Sequence, residues 1–435
     1  MYINYKSANK KRGNKGRSRW IFFLCIIVLV AGMGFTVFYF MRPALSQGAP
    51  DNSNGPDDTV NKTVEITPTQ QIAAITPTQA PTSPPVEVVT TEDVQNDIPA
   101  STAFGNSIKG IYVPARVAGS DKINSLIDMV EETEVNAMVI DVKDDDGKIS
   151  YAMDSDLVNE IGAATNTITD IQELIHRLKE KNIYLIARVV AFKDPYLAEQ
   201  RPDLAIKNKD GTTFVDSNGL AWVNPYNRKV WDYLVDVASQ AAAVGFDEVQ
   251  FDYIRFSTSK AITQANFGDE AEGISKAEII TEFTKYAYEK LKPLGVYLSA
   301  DVYGTIIASS VDAGLVGQDY VQMAKYLDYI CPMIYPSHFG EGNFGIQYPD
   351  TEPFQIISKV LALSAEKLSE LSSGEHCAIV RPWLQDFTAT WVEHHIKYGP
   401  DEIREQIEAV YSVGYDEWLL WNSGSNYTEG GLLEE

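Results

Sequence analysis

Two aspartates, Asp252 and Asp301, stand near the carboxyl ends of short apolar runs and could act together. The first run reads Glu248-Val-Gln-Phe-Asp-Tyr-Ile-Arg-Phe256, the second Val296-Tyr-Leu-Ser-Ala-Asp-Val-Tyr-Gly304. Side chains alternate along a strand, so Gln250 and Asp252 share one face, while Val249 and Phe251 take the other. By the same rule Tyr297, Ser299 and Asp301 oppose Val296, Leu298 and Ala300. On neighbouring strands, about 4.8 Å apart, the two carboxyl groups would be roughly 5–8 Å from each other. Two carboxyls that close divide their pKa values, leaving one as acid and the other as base or nucleophile. That is the equipment of glycoside hydrolysis, and the range spans both retaining and inverting geometries. Asp252 also has a structural explanation, an ion pair with Arg188 or Arg255. If repulsion from Asp301 dominates instead, Asp252→Asn leaves thermal stability unchanged or raised.

The other run ends carry polar and aromatic groups suited to a sugar. One gives Asp141 and Lys143 on one face, followed by Asp144-Asp145-Asp146-Gly147. Others give Arg188, Met333 with Tyr335, then Arg381, Trp383 and Gln385 followed by Asp386, and lastly Trp421 and Asn422. The candidate substrate contacts are Asp141, Lys143, Asp144, Arg188, Gln250, Tyr253, Arg255, Tyr335, Arg381, Trp383, Gln385, Asp386, Trp421 and Asn422, aromatic faces for stacking and carboxylates or amides for hydroxyls. No metal site or cofactor is expected. Aligned on Gly147, an EF-hand would place Val142 and Met153 at ligand positions, and neither binds calcium. None of His176, His338, His376, His394 and His395 falls in a His-Glu-x-x-His pattern, and nucleotide-binding glycine loops are missing.

The elements that must position these groups alternate in order. Predicted strands are Gly110–Val117, Ala137–Val142, Tyr184–Phe192, Glu248–Phe256, Val296–Gly304, Tyr329–Tyr335, Cys377–Leu384 and Glu417–Asn422. Predicted helices fill 121–133, 170–181, 226–244, 275–292, 319–327, 353–371 and 400–413. Asp170 and Asp401 stand where N-caps belong, and Gly245, Gly295 and Gly414 where left-handed C-caps belong. Eight such units predict an α/β fold, a (β/α)8 TIM barrel over 108–435, with its active site at the carboxyl ends of the strands. No eighth covering helix is evident, and the segment near Pro99–Ser107 is a candidate to seal that flank.

Gly110-Ile-Tyr-Val113, Asn136-Ala-Met-Val-Ile-Asp-Val-Lys-Asp-Asp-Asp-Gly147 and Phe246-Asp-Glu-Val-Gln-Phe-Asp-Tyr-Ile-Arg-Phe256 resemble a family of glycoside hydrolase barrels in bacterial exported proteins. The resemblance covers about Ile108 to Asn422. The fourth strand is more distantly similar to the α-amylase and chitinase superfamilies. The α-amylase likeness implies Asp252 as nucleophile, Asp301 as acid/base in place of the usual Glu, and Asp386 as a substrate-holding residue. Gln250 stands where that pattern has arginine, and Ile254 stands in the region where a chitinase would have its Glu.

Ahead of the barrel the composition shifts. Residues 1–19 are a basic head, and 20–41 are an uninterrupted apolar run of the length that spans a bilayer. The basic head predicts a cytoplasmic N-terminus and a single-pass membrane protein with its barrel on the extracellular side. A cleaved signal peptide ending near Ala44-Leu45-Ser46 is the competing reading; either way the barrel is exported. Residues 42–107 are rich in Pro and Thr and repeat Ile-Thr-Pro-Thr-Gln at 66–70 and 75–79, a disordered linker by composition. Beyond residue 50 the chain has 28 basic against 60 acidic residues, which argues against nucleic-acid partners and suits a neutral or cationic glycan. Cys25, Cys331 and Cys377 suggest no disulfide framework. The expected function is hydrolysis of a cell-wall or extracellular polysaccharide. A non-catalytic glycan-binding scaffold is the alternative, and a polysaccharide deacetylase lacks the histidine pair its metal would need.

Overall fold

The strands are short and buried on both faces, as parallel strands covered by helices must be. The computed structural model describes residues 107–371 and 374–434. The expected membrane segment at 20–41 and linker residues 42–106 lie outside the described residues, among which no helix is long and apolar enough to cross a membrane.

Eight parallel strands close into a barrel: β1 (Lys109–Val113), β2 (Ala137–Lys143), β3 (Tyr184–Val190), β4 (Glu248–Asp252), β5 (Tyr297–Tyr303), β6 (Tyr329–Met333), β7 in two pieces (Ile379–Val380 and Trp383–Gln385) and β8 (Trp418–Trp421). Pro382, with no N–H for a ladder, falls in the gap of β7. Closure comes from β8 beside β1 (Ile111 opposite Leu420) and β7 beside β6 (Met333 opposite Trp383). Outward side chains such as Val249, Phe251, Leu298 and Ala300 join the core under the helices. Tyr112, Val139, Ile186, Cys331 and Trp383 pack together inside the barrel.

Covering helices follow the first seven strands: α1 (Lys122–Glu132), α2 (Ile171–Glu180), α3 (Arg228–Val244), α4 (Lys276–Leu291), α5 (Tyr320–Ala324), α6 (Pro353–Leu368) and α7 (Pro400–Ser412). The Asp170 carboxylate caps α2 by accepting the Glu173 N–H at 2.9 Å. Asp401 does not cap α7. Pro400 takes the first helical position, which suits its fixed φ, so the cap falls to Gly399, whose N–H donates to Glu402 Oε2 at 2.8 Å.

Several predicted strands run past the observed ends, two of them by four residues. After Pro114 the chain turns helical at Ala115–Ala118, and β4 stops at Asp252 because Tyr253 adopts φ +50°. The missing eighth helix is replaced by the C-terminal tail. Gly431 packs on Ile403 and Pro400 of α7, its carbonyl accepts from Arg404, and the Glu134 N–H donates to the Leu433 carbonyl at 2.9 Å. Of the segment expected to seal this flank, Pro99–Ser107, only Ser107 is described; its hydroxyl bonds Asp416.

Candidate active site

At the carboxyl end of the barrel, four strands converge on one guanidinium. Arg188 of β3 is 1% exposed and lies between β2 and β4, where the register sets Asp141 and Gln250 beside it. Its Nε and Nη2 donate to Asp252 Oδ2 at 3.0 and 2.5 Å, and its Nη1 to Asp141 Oδ1 at 2.7 Å. Asp145, in the turn after β2, receives Nη2 at 3.5 Å and Lys193 Nζ at 3.1 Å. Tyr112 of β1 donates its hydroxyl to Asp141 Oδ2 at 2.6 Å and stacks on Trp421 of β8, centroids 4.0 Å apart. One buried cation thus serves three carboxylates, and each shares it with other donors.

Asp301 is handled differently. The pairing of Gln250 with Ser299 and Phe251 with Ala300 sets Asp301 on the rung beside Asp252. Its Oδ1 accepts the Trp383 indole N–H at 2.6 Å, and the side chain is 3% exposed. Burial, then the negative charge of Asp252, pushes the Asp301 carboxyl well above the ordinary carboxylate range, against the pull of Trp383 and Arg188. Burial likewise raises Asp141, although Arg188 opposes it. Asp145, only partly enclosed, goes the other way: against the desolvation of its surroundings, Arg188 and Lys193 hold it below the usual range. The ion pair considered for Asp252 is therefore present, with Arg188 as partner, and the expectation that its amide would be neutral or stabilising does not follow from this geometry.

Trp383, Trp421, Asp141, Arg188, Asp252 and Asp301 gather at this mouth. Tyr253 stands next to it, its ring 4.3 Å from Lys193 Nζ and 4.8 Å from the Arg255 guanidinium, which also faces Tyr303. Other predicted contacts are placed elsewhere. A bulge between Asp141 and Lys143 shifts the register, so Lys143 pairs with Val189 and turns to the outer layer. There it meets Asp194 at 2.8 Å, both side chains fully buried. Asp144 organises the following turn by accepting from the Asp146 and Lys148 amides. Gln250 lies inside the barrel against Cys331. Arg381 belongs to a buried cluster near the opposite end, bonded to Glu248 at 3.0 Å and Glu417 at 2.7 Å. Asp386, the substrate-holding residue implied by the α-amylase likeness, spends both oxygens on Thr428. Asn422 ties down the same tail loop through Asp386 and Asn426. Tyr335 packs edge-on against His338 and Phe387, and Gln385 bridges Ser337 and Asp350.

Tyr112, Asp145 and Lys193 belong to the mouth but were not among the predicted site residues. Tyr112 had a signal, the inward position of the first strand, whereas Asp145 and Lys193 lie in turns that alternation does not reach.

Solved structures similar to this chain include the following three. A hypothetical protein from Ruminiclostridium thermocellum ATCC 27405 is 40% identical over 44% of this chain and 97% of its own, with a TM-score of 0.41. The PgaB glycoside hydrolase domain from Bordetella bronchiseptica is 12% identical over 73% of this chain and 94% of its own, with a TM-score of 0.51, a likeness of fold alone. The spore cortex-lytic enzyme SleL from Bacillus megaterium QM B1551 is 12% identical over 77% and 74% of the two chains, with a TM-score of 0.43. No curated protein matches in sequence. The model of the family described as "Putative glycosyl hydrolase domain" matches residues 110–427, from β1 to the tail that closes the barrel. On that match, and with a closed parallel barrel beneath it, the chain belongs to this glycosyl hydrolase family.

Proposed function

We propose that this protein is an exported, membrane-anchored glycoside hydrolase that cleaves a cell-wall or extracellular polysaccharide, with Asp301 as acid and Asp252 as nucleophile or base. The observation that carries the reading is the unequal setting of two neighbouring carboxyls. Burial and the negative charge of Asp252 push the Asp301 carboxyl well above the ordinary carboxylate range, the setting of an acid, whereas Asp252 accepts two hydrogen bonds from Arg188. Trp383 occupies Asp301 Oδ1, which leaves Oδ2 to carry the proton. As the glycosidic C–O bond breaks, that proton passes to the leaving oxygen. Asp252 either bonds to the anomeric carbon, forming an ester that water then cleaves as Asp301 takes back a proton from it, or takes a proton from the water that attacks that carbon directly. Trp421, half-buried and stacked on Tyr112 beside the carboxylates, supplies apolar surface for a pyranose ring. The basic head and apolar run at the N-terminus are the support for export and anchoring on the extracellular side.

The rival is a glycan-binding scaffold, and it has its own observation: the Arg188 pair accounts for Asp252 without any chemistry. The full-length protein in detergent, incubated with a panel of bacterial cell-wall and exopolysaccharides, separates them by release of reducing ends. Release that vanishes in Asp301→Asn and Asp252→Asn supports the enzyme. Retention of a polysaccharide with no cleavage, or variants as active as wild type, overturns it.

A further inference from the structure

The loops after β6 and β7 enclose a cavity of about 260 Å³ that plays no part in the chemistry assigned to Asp252 and Asp301. It falls just below the usual range of ligand pockets, about 300 to 1,000 Å³, so it suits one ring and not a chain. One side is aromatic, with the rings of Tyr348 and His394 at 3.9 Å. The polar side is held in place from below. Gln385 Oε1 accepts the Ser337 N–H and hydroxyl at 3.2 and 2.7 Å, and its Nε2 donates to Asp350 Oδ1 at 3.1 Å. Asp350 itself is 2% exposed, and no donor meets hydrogen-bond geometry at its Oδ2; burial pushes its carboxyl up, tempered by Gln385, the Ile396 amide and the nearby His395 and Tyr398. Charge on the lining is one-sided: Asp350 and Glu341 are present, with neither Lys nor Arg. His338 adds no positive charge at pH 7, because burial takes its pKa down to about 4.

We propose that this cavity is a subsite for one amino sugar of the substrate chain, its ammonium on Asp350 Oδ2 and its ring against Tyr348. The inference rests on the glycosidase reading and names a sugar class which that reading leaves open. A buried carboxylate oxygen without a donor is costly, and an ammonium satisfies it with a charge-assisted bond stronger than a hydroxyl can give. An anionic sugar would meet two carboxylates and neither Lys nor Arg, the one histidine beside a carboxylate of the lining being His394, 3.8 Å from Glu341. The aromatic side accepts the apolar face of a pyranose and tolerates positive charge. Gln385 lies two residues beyond Trp383 on β7, about 7 Å further along the strand from the indole that bonds Asp301.

The test is a ligand-observed NMR titration of the full-length protein in detergent with glucosamine and galactosamine, against their N-acetylated forms. The free amines should bind about tenfold tighter or more, the value of one charge-assisted bond. Asp350→Asn should erase that preference, and Glu341→Gln, on an exposed side chain that does not risk the fold, should reduce it. Equal affinity for both forms overturns the proposal, as does a preference that survives Asp350→Asn at unchanged melting temperature. If Asp350→Asn does not fold, an undiminished preference in Glu341→Gln overturns it. Failure of the glycosidase reading is a different result: amine-selective binding that depends on Asp350, with no reducing ends released from any polysaccharide.

Discussion

Asp252→Asn separates the two roles that the geometry gives Asp252. The amide is nearly isosteric and its oxygen can still accept from Arg188, but two charge-assisted hydrogen bonds become neutral-acceptor bonds. Each such change costs about 1 kcal/mol, so the loss is about 2 kcal/mol. Arg188 keeps Asp141 and Asp145, so the larger penalty of about 3–5 kcal/mol for a wholly orphaned buried charge does not apply. Relief of the repulsion that raises Asp301 offsets part of the loss. The expected outcome is a fall in melting temperature of roughly 4 °C, together with a loss of about 10³-fold or more in hydrolysis. Differential scanning calorimetry and reducing-end release on the same preparation give both numbers. Arg188→Leu is the companion: it leaves Asp141 and Asp252 without their shared cation and should cost about 3–5 kcal/mol. Undiminished hydrolysis in Asp252→Asn refutes the site assignment. A stability loss as large as that of Arg188→Leu refutes the shared-cation picture and makes Asp252 chiefly an ion-pair partner.

Asp301→Asn should abolish hydrolysis of natural polysaccharide yet spare aryl glycosides with good leaving groups, measured as the ratio of the two rates. Because the folded-state pKa of Asp301 is raised, the stability its proton contributes is complete below pH 3.8 and is lost as pH rises; the amide should therefore melt higher than wild type at alkaline pH. Asp144, which burial raises to about 6, predicts a window: wild type should lose stability relative to Asp144→Asn between pH 3.8 and about 6, seen in melting temperatures across that range. Gly147→Ala should be destabilising by about 3 kcal/mol or more in chemical denaturation, because φ is +81° and a Cβ would fall 2.0 Å from Asp194 Oδ1, the buried partner of Lys143.

The glycine's neighbour illustrates where local reading stops. Lys143 follows Asp141 by two residues and should share its face, but one extra residue in a bulge reverses the parity, and nothing in the residue types announces it. Gln385 and Asp386 show a second limit. Both sit at the predicted strand end, yet one is taken up by Ser337 and Asp350 and the other by Thr428, a residue of the tail that stands in for the eighth helix. Asp350 and Tyr348, which line the cavity, lie in a loop with no periodicity to read.

The sequence alone determined the order of strands and helices, the inward faces of β4 and β5, and hence the meeting of Asp252 with Asp301. Those features depend on alternation, helical spacing and caps, interactions that span a few residues. Only the tertiary structure decided which charges neutralise one another. Arg188 and Asp252 are 64 residues apart, and Arg381 and Glu248 133 apart, so their pairing depends on the stagger of strands around a closed barrel. Two arginines that look alike at strand ends thereby part company: Arg188 faces the carboxyl mouth beside Asp252, while Arg381 is sealed between Glu248 and Glu417 near the other end.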